Sequence, residues 1–161
     1  MATLILQDTY RALEEEMKSI DKLRTETALK IQEAASHGDL KENYDYKAAK
    51  EAMNLLVNKK EFLDSHVPFQ FIQYDEIETE EVGFGNKVTI HEEGKDEAED
   101  YYLLGPIESE LDLYPLIVTY KTPFAQAMIG KKIGENFTLE IQGKEIKFTI
   151  TAIEKISADE M

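Results

Sequence analysis

The chain contains no cysteine, which excludes disulfide staples, zinc knuckles, thiol nucleophiles and Cys-ligated iron–sulfur clusters. Positive charge is scarce as well. Against 33 Asp and Glu stand only 18 Lys and Arg, a formal charge of −15, which argues against tight binding to a nucleic-acid duplex or an anionic membrane through bulk electrostatics, so any basic site must be local. No apolar run reaches membrane-spanning length, and the short patch from Leu4 to Leu6 has no basic flank before it. The expectation is a soluble, untargeted, cytoplasmic protein. The three histidines, His37, His66 and His91, are scattered without metal-ligand spacing, and there is no GxSxG, HExxH or phosphate-cradling glycine loop. Gly83-Phe84-Gly85 is too short for a dinucleotide fingerprint and is expected within a strand.

What is present divides near Pro68. From Gln7 to Ser65 there is no proline and one glycine, Gly38, in a dense mix of Ala, Leu, Lys and Glu that favours long helices. Leu6, Tyr10, Leu13, Met17, Ile20, Thr27, Ile31 and Ala34 follow steps of three and four, missing one beat at Arg24. After Gly38, Tyr46, Ala49, Met53, Leu56 and Leu63 repeat the spacing, with Lys60 as the imperfect position. Two helices of about 25 residues joined by a few residues must pack antiparallel, as a hairpin about 35 to 40 Å long.

Beyond Pro68 come short runs that read as strands: Phe69 to Tyr74, Val82 to Ile90, Tyr101 to Leu104, Leu116 to Tyr120, Phe137 to Ile141 and Glu145 to Ile153. In the last, Ile146, Phe148, Ile150 and Ala152 form the apolar face, with Lys147, Thr149, Thr151 and Ile153 opposite. Gln142-Gly143 suits a hairpin turn, and Pro123 starts a short helix that Gly130 can end. Two acidic stretches, 75–81 and 92–100, read as connectors. With apolar residues at 42% of 161, a substantial core is expected, in an α+β fold.

The informative stretch is HGDLKENYDYKAAKE, His37 to Glu51, at the hairpin tip. Local folding accounts for much of it: Gly38 suits a left-handed residue past a helix end, and Asp39 with Glu42 makes a capping-box-like pair. The same two carboxylates, spaced i and i+3, share a helix face and can together hold a hard divalent cation such as Mg²⁺ if other groups complete the octahedron. Both readings stand on spacing alone.

These residues carry a resemblance. Gly38-Asp39-Leu40-Lys41-Glu42-Asn43 and Tyr46, the order hairpin then β-rich domain, Val82 to Thr89, Gly105 with Glu108, Thr119, Thr122-Pro123 and Met128 to Glu135 together resemble bacterial transcript cleavage factors of the GreA/GreB family, GreA-like in character. The resemblance implies a coiled-coil hairpin over residues 1–74, an acidic linker at 75–81 and an FKBP-like domain over 82–161 that docks on RNA polymerase, with Thr122 and Pro123 as docking candidates. It implies that the hairpin enters the polymerase secondary channel as a monomer, where Asp39 and Glu42 act as the catalytic acids. There they would share a transient Mg²⁺ with the polymerase, and the RNA whose 3′ end has backtracked is cleaved. The factor is then not itself an enzyme. Lys41, Asn43, Tyr46, Lys47 and Lys50 become candidates for RNA or tip contact. Ala35 and Lys50 stand where relatives often carry arginine, Gln126 and Ala127 where Arg or Gly is frequent, and short-fragment cleavage is expected. Two other classes remain open: a channel-binding regulator that does not promote cleavage, and an FKBP-like interaction module with chaperone or prolyl-isomerase activity.

Overall fold

The computed structural model describes residues 2–36 and 44–161. The chain forms two units, one made of the stretch up to Tyr10 together with Pro68–Met161, the other of Arg11–Val67. The second unit is the hairpin. It comprises most of helix α1 (Gln7–Ala35) and helix α2 (Tyr44–Asp64), which at 1.5 Å per residue run about 43 and 31 Å.

Their seam follows the heptad pattern. Leu13, Ile20, Thr27 and Ala34, seven residues apart, are buried, as are Ala49 and Leu63, while Met17, Ile31, Tyr46, Met53 and Leu56 are half-buried. Lys59 Nζ lies 2.7 Å from Glu16 Oε1 and Lys60 Nζ 2.9 Å from Asp21 Oδ1, while farther along α1 Thr27, Lys30, Glu33 and Ala34 line one recess with Asp45, Ala48, Ala49 and Ala52 at the start of α2, so numbering rises along one helix as it falls along the other and the pair is antiparallel. The two irregular seam positions share an acceptor, since Arg24 also approaches Asp21, at 4.0 Å. Long cationic side chains cover apolar seam with their stems and reach the acid with their heads.

The first unit is built on a mixed five-stranded sheet, order β5-β4-β3-β7-β6, from β3 (Asn86–Glu92), β4 (Glu99–Leu104), β5 (Ile117–Thr119), β6 (Asn136–Ile141) and β7 (Lys144–Lys155). Short helices α3 (Pro106–Glu110) and α4 (Pro123–Met128) begin at prolines. The fold is α+β. β4 is apolar on both faces. Leu103 packs with Val88, Met128, Phe148 and Ile150, while Tyr102 and Leu104 pack with Leu6, Ile77, Tyr114 and Ile156. Gln142 and Gly143 both take positive φ, 52° and 79°, as a two-residue hairpin turn between right-twisted strands requires.

Three expectations need correction. Leu6 is not the first position of the helical seam; it ends strand β1 (Thr3–Leu6), parallel to β2 (Phe69–Ile72), so both ends of the hairpin's sequence join the first unit. Gly83–Gly85 precedes β3 instead of lying in it, in a turn where Gly85 takes φ +91° and a Cβ would come within 2.6 Å of Ile77. Ile153 is buried, not on the polar face: the β3–β7 register shifts between Thr89 and Ile90, and the extra residue on β7 at Thr151 reverses which side chains point inward.

One carboxylate ties the chain's start to this sheet. Glu108 is fully buried; its Oε2 accepts from Leu6 N at 3.2 Å and its Oε1 from Gly105 N at 3.0 Å. Tyr120 Oη accepts from Leu4 N at 3.1 Å. A Cβ at position 105 would fall 2.9 Å from Leu4 O and 3.1 Å from Glu108 Oε1, so glycine is what lets the two segments approach. Burial pushes the Glu108 carboxyl up, opposed first by the neighbouring Thr9 hydroxyl and then by the backbone N–H groups of Leu6 and Gly105.

Glu108→Ala leaves two buried N–H groups without an acceptor and is expected to cost about 3 kcal/mol in urea unfolding. A carboxyl raised on folding binds its proton more tightly in the folded state. Its contribution is therefore largest below the unfolded-state carboxyl range and falls as pH rises through the folded value. Glu108→Gln should remove that part of the pH slope in unfolding midpoints.

Candidate functional site

Asp39, Lys41, Glu42 and Asn43, together with His37 and Gly38, lie outside the described residues. The elements leading into and out of that segment are described. α1 ends at Ala35, with Ser36 Oγ donating to Glu33 O at 2.6 Å, and α2 resumes at Tyr44 with Asp45 in its first turn, where a negative charge suits the helix dipole. The acid pair thus falls in the stretch that joins two helices of 29 and 21 residues.

Of the remaining tip candidates, Tyr46, Lys47 and Lys50 occupy the first turns of α2. Tyr46 is half-buried and the two lysines are exposed. Lys50 Nζ sits 5.4 Å from the centroid of the Tyr46 ring, an i, i+4 cation–π pair that leaves the ammonium open to water. Lys47 is exposed one residue along from Tyr46 and gives a second cationic point on the helix surface. Neither lysine offers the bidentate fork of an arginine, so each acts toward phosphate as a point charge.

Sequence reasoning missed a neighbouring recess of about 390 Å³ between the helices, lined by Thr27, Lys30, Glu33 and Ala34 of α1 and by Asp45, Ala48, Ala49 and Ala52 of α2. Its cause is small side chains. Where alanines stand opposite alanine and threonine the seam is underfilled, and the cluster Ala48, Ala49 and Ala52 was the available signal.

The second candidate group lies in the first unit. Thr122 is half-buried and caps α4: its Oγ1 accepts from Ala125 N at 3.3 Å and donates to Thr119 O at 2.9 Å. Pro123 is exposed as the first helical residue. Gln126 Nε2 donates to Tyr120 O at 2.6 Å, so it braces the same turn. Beyond α4, Ile129 and Ile133 are exposed, the latter at 58%, and extend the surface around Pro123 with apolar area. Among the described residues there is no group of three or more His, Asp or Glu positioned for a metal ion, and no helix is long and apolar enough to cross a membrane.

Comparison with known proteins gives consistent results for both units. The family model described as "Transcription elongation factor, GreA/GreB, C-term" matches residues 77–155, and "Transcription elongation factor, N-terminal" matches 3–67. The chain is 32% identical over 145 residues to the transcription elongation factor GreA of Streptococcus pneumoniae, covering 89% of each chain. It is 30% identical over 145 residues to that of Desulfovibrio desulfuricans, covering 89% of this chain and 88% of the other. Among solved structures, the GreA factor homolog 1 protein of Thermus thermophilus is 18% identical with a TM-score of 0.40, over 96% of this chain and 99% of the other.

Thr122→Ala removes the α4 cap and is expected to cost about 1 kcal/mol, with Thr122→Ser close to wild type, both read by urea unfolding.

Proposed function

Because the chain belongs to the GreA/GreB family of transcription elongation factors, we propose that its hairpin enters the secondary channel of bacterial RNA polymerase and stimulates cleavage of nascent RNA whose 3′ end has backtracked. The observation that carries the reading is the position of Asp39 and Glu42, two carboxylates at i and i+3 in the stretch joining two long antiparallel helices. Hard oxygen donors of this kind suit Mg²⁺, and two of them are too few for an octahedral shell. The pair therefore fits a shared site, in which the polymerase's carboxylates supply the remaining ligands.

Bound there, Mg²⁺ would supply charge neutralisation at the phosphate and acidify a water. The chain's residues have the following parts. Asp39 and Glu42 hold their share of the cation and orient the attacking water by accepting from it. The water oxygen would attack phosphorus and give up its proton to a carboxylate or bulk water as the P–O3′ bond breaks; the 3′ oxygen takes up a proton and stays on the retained transcript as its new 3′ hydroxyl, the released 3′ fragment carries the 5′ phosphate, and because the factor supplies only part of the site it is not an enzyme on its own. Asn43 and Tyr46 hold the tip or the RNA, and Lys41, Lys47 and Lys50 offset phosphate charge locally on a chain of strongly negative total. The globular unit, an FKBP-like domain in this reading, docks on the channel rim through Thr122 and Pro123. From Glu76 onward it holds 19 acidic against 8 basic residues, which favours a basic protein surface. The protein acts as a monomer in the cytoplasm.

The test is a stalled, backtracked elongation complex with 3′-labelled RNA and Mg²⁺. Wild type releases short 3′ fragments; Asp39→Ala/Glu42→Ala still binds but cleaves at least about 100-fold more slowly, with unchanged helix content by circular dichroism; the factor alone cleaves nothing. Wild type that binds and releases no fragment would overturn the proposal in favour of a non-cleaving channel regulator.

A further inference from the structure

The two-stranded sheet has an unused edge. Thr3 N donates to Pro68 O at 2.9 Å and Thr3 pairs with Phe69, Ile5 with Phe71. In a parallel ladder this register turns the N–H and C=O of Gln70 toward β1 and those of Phe71 away from it. Among the described residues no strand pairs with β2 on that side, and Phe71 is 43% exposed.

A groove of about 420 Å³ lies against this edge, with Phe71, Ile72, Ile77 and Phe84 in its apolar lining and Glu76, Glu78 and Glu81 supplying its charge; among the described residues no Lys or Arg lines it. Its floor is fixed. Ile77 is buried against Gly85, and the Asn86 side chain donates to Glu78 O at 2.8 Å while accepting from Gly83 N at 2.8 Å. Glu78 and Glu81 are both exposed.

We propose that β2 and this groove form a docking site for an extended, basic segment of another protein, which adds as a strand to the Phe71 edge. One apolar side chain fills the groove and Lys or Arg residues beside it meet Glu78 and Glu81. Backbone pairing gives such a site its affinity and the alternating side chains its selectivity. Charge decides the occupant: a second copy of this chain brings a charge of −15 to an acidic rim, whereas a basic strand is drawn to it. The proposal is independent of the cleavage reading, since none of its residues belongs to the tip or to the α4 surface.

The test uses the full ¹⁵N-labelled chain titrated with the capped peptide Lys-Val-Lys-Ile-Lys-Val, its Glu-for-Lys counterpart, and a copy N-methylated at the central residues. The basic peptide should shift amide signals at 70–84 and slow hydrogen exchange at Phe71, and the acidic peptide should not. N-methylation and Glu78→Gln/Glu81→Gln should each weaken binding at least about fivefold. Shifts confined to other surfaces, equal binding of the N-methylated peptide, or an unchanged Kd in the double variant would each overturn the proposal. So would concentration-dependent self-association that protects Phe71, which would assign the edge to a second copy.

Discussion

Glu108 has no access to water, and the first turn of the longest helix begins one residue after a backbone N–H that this carboxylate receives. Buried carboxylates are costly unless each lone pair finds a donor, and here the donors come from Leu6 and from Gly105, which lies far along the chain and just before the helix that carries Glu108. The absence of a side chain at Gly105 makes the meeting sterically possible, and Tyr120 adds a second link to the same strand at Leu4. Remove the carboxylate and β1, β2 and the root of α1 lose their polar tie to the five-stranded sheet.

The two units divide the chemistry between them. The hairpin invests most of its residues in length, with a narrow seam of buried side chains and interhelical ion pairs at Glu16–Lys59 and Asp21–Lys60. Those pairs are half-exposed and add orientation more than stability. Among the described residues, Lys47 and Lys50 are carried on the first turns of α2, while the recess among Ala34, Ala48, Ala49 and Ala52 leaves the adjoining seam thinly packed. The globular unit instead concentrates its aromatic side chains, with Phe124, Phe137 and Phe148 ring to ring, behind the helix that carries Thr122 and Pro123.

Much of this was legible in the sequence because it rests on periodicity. The seam positions, the strand runs, the Gln142-Gly143 turn and the Pro123 helix all follow from spacing and turn chemistry, and the family follows from motifs spread along both units. What was not legible depends on distant partners. Leu4 to Leu6 becomes a strand only because residues 69–72 lie beside it. The inward turn of Ile153 comes from a bulge that alternation cannot announce. Gly85 is fixed by Ile77 and not by its own run. The tip residues Asp39, Lys41, Glu42 and Asn43 rest on spacing and resemblance alone.

The central claim is that this chain lends carboxylates to a metal site it does not own, and the most direct measurement is the Mg²⁺ dependence of single-turnover RNA cleavage in a backtracked complex. With saturating wild-type factor the Mg²⁺ midpoint should fall well below that of the polymerase alone, and with Glu42→Gln it should return toward the unassisted value while factor binding is retained. A midpoint identical with and without the factor, or identical for wild type and Glu42→Gln, would contradict the account.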